Sequence, residues 1–138
     1  MPYDALIERK VSAPRAKVFG AFYDFNGIGK LLPDAIASCE CIGEGVGAVR
    51  TLKMAEGGTI VERMEIAHEG SVFGYSITSN DALPLENYCA IVMLADNSDG
   101  GTSVTYGSNW DPKGIEEDEM RKTLEDFYHA ILDAIEKS

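Results

Sequence analysis

The stretch that decides the fold is the last one, residues 115–137, which reads IEEDEMRKTLEDFYHAILDAIEK. Its apolar side chains recur every three or four positions, as in a helix with one buried face. They are Met120, Leu124, Phe127, Tyr128, Ile131, Ala134 and Ile135. Acidic residues fill its first turn and Lys137 stands at its end, which suits the helix dipole. A lone helix cannot bury so broad a face, so the rest of the chain must supply a wide surface to cover it.

The residues before this helix predict mostly strands. Residues 5–11 alternate between apolar and polar, and short helices are predicted over residues 14–23 and 25–32, with Ser12 as a cap for the first. Beyond residue 35 the period is two, which predicts six more strands. They cover residues 36–42, 48–54, 59–67, 72–78, 88–95 and 102–110. No linker or internal repeat interrupts this order, so we expect residues 1–138 to form one α+β domain, a sheet curled around the final helix.

The composition disfavours two classes of partner. The chain has 23 acidic and 12 basic residues, a net charge of −11, which repels phosphate backbones and anionic lipid. No run approaches the ~18 apolar residues of a membrane span, and the first residues do not resemble a signal peptide. We therefore expect a cytoplasmic protein that does not bind nucleic acid and does not span a membrane.

The cysteines and histidines do not predict a metal site. Cys39, Cys41 and Cys89 form no CxxC pair, and Cys39 and Cys41 face the same way on one predicted strand, which is poor disulfide geometry. His68 and His129 stand alone, without a ligand-like spacing to other candidates. We expect reduced, half-buried thiols, no metal and no cofactor.

One predicted hairpin carries a charge on each of its two inner faces. Arg50 lies on the apolar face of the strand at 48–54, and Glu62 on that of the strand at 59–67. A three-residue loop at 55–57 makes these two residues direct cross-strand neighbours, ~5 Å apart at the backbone. A loop of two or four residues would place them on opposite faces, which the apolar pattern disfavours.

An inward arginine and glutamate are costly to bury unless they are paired. Two interpretations stay open at this point. The pair is either a salt bridge that fixes the register, or a polar pair inside a ligand cavity. In the second case Arg50 binds an anion or oxyanion and Glu62 moves a proton.

Three tyrosines on the following strands are predicted to point inward. Tyr75 shares a face with apolar neighbours, Tyr88 begins the next strand, and Tyr106 lies on the inner face of the last. Each alone is most simply a core aromatic whose hydroxyl finds a partner. Their convergence with Arg50 and Glu62 favours a wet, functional cavity.

The order of elements and several motifs resemble the START-like, Bet v 1-like superfamily (SRPBCC), in its polyketide cyclase/dehydrase branch. The resemblance covers nearly the whole chain. It is carried by Ala13-Pro14, GVGAVR at 45–50, VERM at 61–64, Tyr75, Asn87-Tyr88 and Asp111-Pro112. It implies a helix-grip fold, in which a curved seven-stranded antiparallel sheet wraps the C-terminal helix above a cavity. Such cavities usually take apolar molecules such as lipids, steroids, polyketides or plant hormones.

The resemblance also implies roles for particular residues. The branch includes proteins like the plant lachrymatory-factor synthases, in which an arginine and a glutamate of this hairpin are regarded as the catalytic pair. By resemblance that role falls on Arg50 and Glu62, with Tyr75 and Tyr88 as neighbours. Members often carry tryptophan where this chain has Tyr106, so the volume and polarity of the cavity can differ.

The expected ligand-binding wall is largely apolar. It consists of Leu52, Met54, Met64, Phe73, Tyr106, Trp110, Met120, Leu124 and Phe127, with Ile28, Leu31 and Leu32 at the entrance. Residues 27–32 and 80–86 are predicted to be the most mobile segments, because of glycines in the first and turn-forming residues in the second. Three hypotheses follow: a cofactor-free cyclase, dehydrase or isomerase, a carrier or sensor that only binds, and a subunit whose acidic surface meets a partner protein. Association into a homodimer is also left open.

Overall fold

A computed structural model of the protein describes residues 2–138. It has seven strands, two short helices after the first strand, and one long helix at the end, as predicted. The elements are β1 (Ala5–Val11), α1 (Arg15–Tyr23), α2 (Ile28–Leu31), β2 (Ile36–Ile42), β3 (Val49–Met54), β4 (Thr59–His68), β5 (Val72–Asn80), β6 (Leu85–Asp96), β7 (Thr102–Pro112) and α3 (Glu117–Lys137). A single 3₁₀ turn, Phe25–Gly27, joins α1 to α2.

All seven strands form one antiparallel sheet in the order β1-β7-β6-β5-β4-β3-β2. Strands β2 to β7 are a meander, and β1 completes the sheet beside β7. Strands β5 and β6 extend further than predicted, so that only residues 81–84 connect them. Asn80 explains the tight connection, because its side-chain oxygen accepts from the backbone N–H groups of Ala82 and Leu83, at 2.9 and 2.8 Å.

Helix α3 buries most of the face that the sequence predicts, together with Leu132, which was not part of the prediction. Its buried side chains are Met120, Leu124, Tyr128, Ile131, Leu132 and Ile135. Burying each of the larger apolar side chains contributes about 1.5–3 kcal/mol, so this face outweighs the modest helix propensity of the segment. Phe127, also on the predicted face, is half-buried.

A group of polar residues, here called the outer cluster, ties the end of α3 to β1. It consists of Arg9, Ser12, His129, Asp133 and Glu136. Arg9 donates to Asp133 at 2.8 Å and to Glu136 at 2.9 Å, and its Nη1 lies 3.1 Å from Nδ1 of His129.

Ser12 does not cap α1, contrary to the prediction. The residue at the N-cap position is Pro14, and no side chain caps the helix. The backbone N–H and the hydroxyl of Ser12 instead donate to Oε2 of Glu136, at 2.8 and 3.1 Å. As a cap, Ser12 would accept a hydrogen bond from a helix N–H. Its charge-assisted hydrogen bonds to the Glu136 carboxylate hold it in a different position instead.

Helix α1 and the 3₁₀ turn cover one part of the sheet with aromatic rings. Phe22 packs on Phe73, with ring centroids 5.6 Å apart, and Phe25 packs edge-on against the same ring at 6.2 Å. This packing fills the space over Phe73. The remaining space lies over the middle of β3, β4 and β5, beside α2 and α3.

Candidate functional site

A cavity of about 560 Å³ lies between the sheet, α2 and α3. This volume falls within the ~300–1,000 Å³ range of small-molecule sites. All four residues predicted to be catalytic line it, namely Arg50, Glu62, Tyr75 and Tyr88. Seven of the residues predicted to bind ligand also line it: Ile28, Leu31, Leu52, Met54, Tyr106, Leu124 and Phe127.

Five of the predicted wall residues do not line this cavity: Leu32, Met64, Phe73, Trp110 and Met120. Met64 and Met120 have no exposed surface, and Phe73 retains only 1% because α1 and the 3₁₀ turn cover it. Most of these residues were predicted to line the cavity because they lie on the inner face of a strand. An inward-facing residue does not border the cavity where another element packs on the same face and fills the space.

The predicted register of the β3–β4 hairpin is confirmed. Arg50 and Glu62 are direct cross-strand partners. The N–H of Met54 donates to the carbonyl of Gly58 at 3.0 Å, which closes a loop of three residues, 55–57. Gly57 and Gly58 have φ of 102° and 90°, values that glycine adopts without steric cost.

Arg50 is held on several sides. Its Nε donates to Oε1 of Glu62 at 2.7 Å, and its Nη2 lies 2.6 Å from the same oxygen in the ion pair. Its Nη1 donates to the backbone carbonyl of Phe25 at 3.1 Å, and its guanidinium lies 3.9 Å from the centroid of the Phe25 ring. Only 7% of the Arg50 side chain and 9% of the Glu62 side chain are exposed, so the pair is largely shielded from bulk solvent.

The second carboxylate oxygen of Glu62, Oε2, has no hydrogen-bond partner among residues 2–138. It is not a fully enclosed atom either, because the buried side-chain atoms without a partner in that range are Nδ2 of Asn97 and Nε1 of Trp110. Since Glu62 lines the cavity, Oε2 is an acceptor available to whatever occupies that space.

Four phenols and one serine form the other polar part of the site. The hydroxyl of Tyr75 lies 2.6 Å from that of Tyr106 and 3.0 Å from that of Tyr88. The hydroxyl of Tyr88 lies 2.5 Å from that of Tyr128, which donates to Ser108 at 2.6 Å. The rings of Tyr106 and Tyr128 are stacked, with centroids 3.9 Å apart. Together with Arg50 and Glu62, these five residues are called the inner cluster below.

Burial raises the pKa of all four phenols above the ordinary value of 10.0. For Tyr75 the negative charge of Glu62 adds to this effect. A raised pKa means that each hydroxyl keeps its proton at neutral pH and acts as a hydrogen-bond donor.

Tyr128 and Ser108 were not predicted to belong to the site. Tyr128 lies on the buried face predicted for the last helix, and Ser108 is two residues from Tyr106 on β7. The available signal was polarity: a phenol and a hydroxyl on two buried faces each need a hydrogen-bond partner. Which partner they find depends on how α3 crosses the sheet.

Both predicted entrance segments contribute to the cavity. Ile28 and Leu31 line it from α2, and Ala82 and Leu83 line it from the loop between β5 and β6. Exposed acidic residues, Asp34, Glu56 and Asp126, also belong to the lining. The mobility of these segments stays a prediction.

The three cysteines are free thiols, with Cys39 and Cys41 half-buried and Cys89 exposed. Burial raises the pKa of Cys39, and the charge of Arg50 opposes that rise. No group of three or more metal-binding side chains occurs among residues 2–138. No helix in that part of the chain is long and apolar enough to cross a membrane.

Comparisons with known proteins agree with this architecture. Residues 7–138 match the family described as "Polyketide cyclase / dehydrase and lipid transport". Comparison with curated protein sequences gives no significant match.

Solved structures show the same fold at low sequence identity. XoxI from Bacillus cereus is similar with a TM-score of 0.81 and 23% identity, over 96% of this chain and 92% of that one. A putative uncharacterized protein from Bacillus thuringiensis has a TM-score of 0.80 and 22% identity, with 96% of both chains covered. Ara h 8.0201 has a TM-score of 0.80 and 22% identity, with coverage of 96% and 93%.

The chain therefore belongs to the polyketide cyclase/dehydrase and lipid transport family, within the START-like, Bet v 1-like superfamily. Its curved antiparallel sheet around a long C-terminal helix is the helix-grip fold. The family indicates that an apolar molecule binds in the cavity.

Proposed function

We propose that the protein binds one small, largely apolar molecule, with the polar end of that molecule against Arg50 and Glu62. Residues 1–138 would act as one START-like ligand-binding domain in the cytoplasm, where the three free thiols stay reduced. The observation that carries the proposal is the cavity itself: about 560 Å³, with largely apolar walls, one buried group of polar side chains, and exposed acidic residues elsewhere in its lining. A single buried polar region in an apolar space orients a ligand as well as holding it.

Filling the cavity tests this proposal. Ile77 is half-buried in the wall, and Ile77→Trp extends an indole into the empty space. We expect binding of the apolar probe 2-naphthol to fall at least ~10-fold, because the occupied volume leaves less apolar surface to bury. Leu52→Phe, on the neighbouring wall, should weaken binding in the same direction.

Ile42→Trp is the matched control, because Ile42 is 81% exposed and does not line the cavity. Titration calorimetry gives the affinities, and thermal denaturation shows whether each variant is folded. Unchanged affinity in both folded cavity variants would place the binding site elsewhere.

The second candidate is an enzyme that moves a proton without a cofactor. The observation that favours it is Oε2 of Glu62, which has no hydrogen-bond partner among residues 2–138 and borders the cavity beside the Arg50 guanidinium. A carboxylate can accept a proton from a bound molecule, and an adjacent guanidinium can stabilise the negative charge that develops. An isomerisation, cyclisation or dehydration needs these two actions.

Native mass spectrometry of the protein purified from its own cells tests whether a reaction occurs. A co-purifying molecule would be identified by mass, then incubated in D₂O with the stripped protein. A change in mass or structure, lost in Glu62→Gln, would establish the reaction. A molecule that is bound and returned without deuterium would establish the carrier.

A further inference from the structure

The two edges of the sheet differ in what covers them. At one edge α3 packs against β1, where Glu125 accepts from the N–H of Leu6 at 3.1 Å and Glu136 accepts from the N–H of Ser12 at 2.8 Å. At the other edge β2 pairs only with β3. No backbone group of residues 37–42 makes a hydrogen bond with residues 2–138 outside that pairing. Every second residue of an edge strand directs its N–H and C=O away from its neighbour, so β2 keeps open donors and acceptors.

An open edge strand can pair with a strand of another chain, and many proteins prevent this with lysine or proline in the strand. The sequence of β2, IASCECI, contains neither. The irregularity in its pairing with β3 lies at its start, between Ile36 and Ser38, so residues 38–42 are a regular stretch. Ser38, Glu40 and Ile42 are exposed, and Ile42 is 81% exposed. This stretch is therefore accessible to an added strand.

A groove of about 460 Å³ lies beside the end of β2. The end of α1 and residues 24–26 form one side of it, and Cys41 of β2 with residues 43–45 forms the other. None of these residues lines the apolar cavity. A strand added to β2 would have the groove next to it, with room for a side chain of that strand.

The groove and the strand carry negative charge. Asp24 and Glu44 line the groove, Glu40 lies on β2, and all three are exposed. None of the three forms an ion pair with residues 2–138. Residues 31–49 include no lysine or arginine, and Lys53 of the neighbouring β3 lies opposite Ser38 rather than in the groove. This surface is therefore complementary to a positively charged partner.

We propose that β2, with the groove beside it, docks an extended basic segment of a partner protein. The backbone of that segment pairs with residues 38–42, and one of its lysine or arginine side chains lies in the groove between Asp24 and Glu44. A second copy of this chain fits less well, because it brings the same acidic edge and a further net charge of −11. The interaction goes beyond the proposed binding function and does not depend on the cavity.

The test uses two synthetic peptides, acetyl-Lys-Val-Lys-Val-Lys-Val-amide and its counterpart with glutamate at every lysine position. Each is titrated into isotope-labelled protein, and amide chemical shifts in NMR spectra give both the affinity and the place of binding. We expect the basic peptide to bind at least ~10-fold more tightly, since several of its charges lie near carboxylates. The amide signals that move should include those of residues 38–42.

Asp24→Asn/Glu44→Gln removes the two charges of the groove. We expect the affinity for the basic peptide to fall about 3- to 10-fold, the usual sum for two exposed ion pairs. Glu8→Gln/Glu69→Gln is the matched control, because Glu8 and Glu69 are exposed, unpaired among residues 2–138 and outside the groove. This control should stay within about twofold of the wild type, whereas attraction by net charge alone would weaken both variants equally.

N-methylation of the basic peptide tests strand pairing separately from charge. Methyl groups on the lysine nitrogens and on the valine nitrogens remove donors from opposite edges of the extended peptide. Only the edge that faces β2 donates to it, so one methylated peptide should bind at least ~10-fold more weakly than the other.

A preference for the basic peptide, shifts at residues 38–42 and a loss in the groove variant alone support the proposal. Equal binding of the two peptides, or equal losses in the two double variants, overturns the charge recognition. Equal effects of the two methylations overturn the strand pairing. A dimer in sedimentation experiments that Ile42→Glu dissociates would assign this edge to a second copy and overturn the basic partner.

Discussion

The inner and outer clusters both pair an arginine with carboxylates, but they differ in their access to water. In the outer cluster, 20% of the Arg9 side chain, 54% of Asp133 and 28% of Glu136 are exposed. In the inner cluster, Arg50 and Glu62 are 7% and 9% exposed. Solvent screens the outer pairs, whereas the inner pair must replace its lost hydration with contacts inside the protein.

The difference shows that one kind of ion pair can serve two purposes. The outer cluster connects α3 to β1 through ion pairs and hydrogen bonds. Substitution of a residue in it should alter the stability of the protein only slightly. The inner cluster holds charge and phenols beside an apolar cavity, where each group is costly to bury and available to a ligand. The predictions below test this contrast, beginning with the largest expected effect.

Raising the pH above 10 should destabilise the protein through the phenols of the inner cluster and leave the ion pairs of the outer cluster unchanged. Each of its four phenols has a pKa raised above 10.0, so its stabilising contribution is fully present below pH 10 and is lost as the pH rises further. A phenol that ionises only in the unfolded chain costs about 1.4 kcal/mol of stability per pH unit. We therefore expect unfolding above pH ~10, with phenolate absorbance and circular dichroism changing together.

Arg9→Ala is the control for this experiment, because Arg9 contacts no phenol of the inner cluster. The pH at which half of the Arg9→Ala protein is unfolded should match that of the wild type, once any difference in stability at neutral pH is taken into account. Ionisation of the buried phenols while the circular dichroism stays native would contradict the prediction.

Removing the guanidinium of the inner pair should have the next largest effect. Arg50→Met leaves Glu62 buried without its partner, which should lower the free energy of unfolding by about 3–5 kcal/mol. Urea denaturation measures the loss. The double variant Arg50→Met/Glu62→Leu should lose less than the sum of the two single variants, because it leaves no unpaired charge. A loss below about 1 kcal/mol in Arg50→Met would mean that cavity water already screens the pair.

Glu62→Gln keeps the shape of the side chain and one acceptor for Arg50. We expect a smaller loss of about 1.5–3 kcal/mol, the usual contribution of a hydrogen bond to a charged group. Glu65→Gln is the matched control on the same strand, since the Glu65 side chain is 36% exposed and does not line the cavity. If the protein catalyses proton transfer, turnover should fall ~100-fold or more in Glu62→Gln and stay unchanged in Glu65→Gln. Equal losses of stability in the two variants would refute the distinction between buried and exposed carboxylates.

The smallest effect is expected in the outer cluster. Arg9→Ala should cost about 1 kcal/mol or less at neutral pH, because its partners are partly exposed. Hydrogen bonds from Ser12 and Arg9 lower the pKa of Glu136, and those from Arg9 lower the pKa of Asp133. Their contribution is therefore present above the ordinary value of 4.5 for Glu136 and is lost as the pH falls below it.

Chemical denaturation of wild-type protein and Arg9→Ala at several pH values checks this prediction. The difference in stability should shrink as the pH falls through the acidic range. A difference that persists unchanged at low pH would show that Arg9 stabilises the protein through packing of its aliphatic stem.

Much of the fold could be predicted from local patterns. The period of two located every strand, and the bounds of β1 and β2 match the structure. The apolar pattern also predicted the register that pairs Arg50 with Glu62, because a shift of one residue would have turned an apolar face to solvent. The errors at the start of α1 and at Met64, Phe73 and Met120 share one cause: another element of the fold binds the same side chain or fills the same space.

The sequence by itself determined the order of elements, the buried face of α3 and the inward position of Arg50, Glu62 and the phenols. These features follow from residue spacing, and spacing is local. Only the tertiary structure decided which inward residues border empty space, and that Tyr128 of α3 meets Tyr88 of β6 and Ser108 of β7. Those contacts depend on where a helix crosses a curved sheet, and that position is set by the packing of the whole core rather than by any one segment.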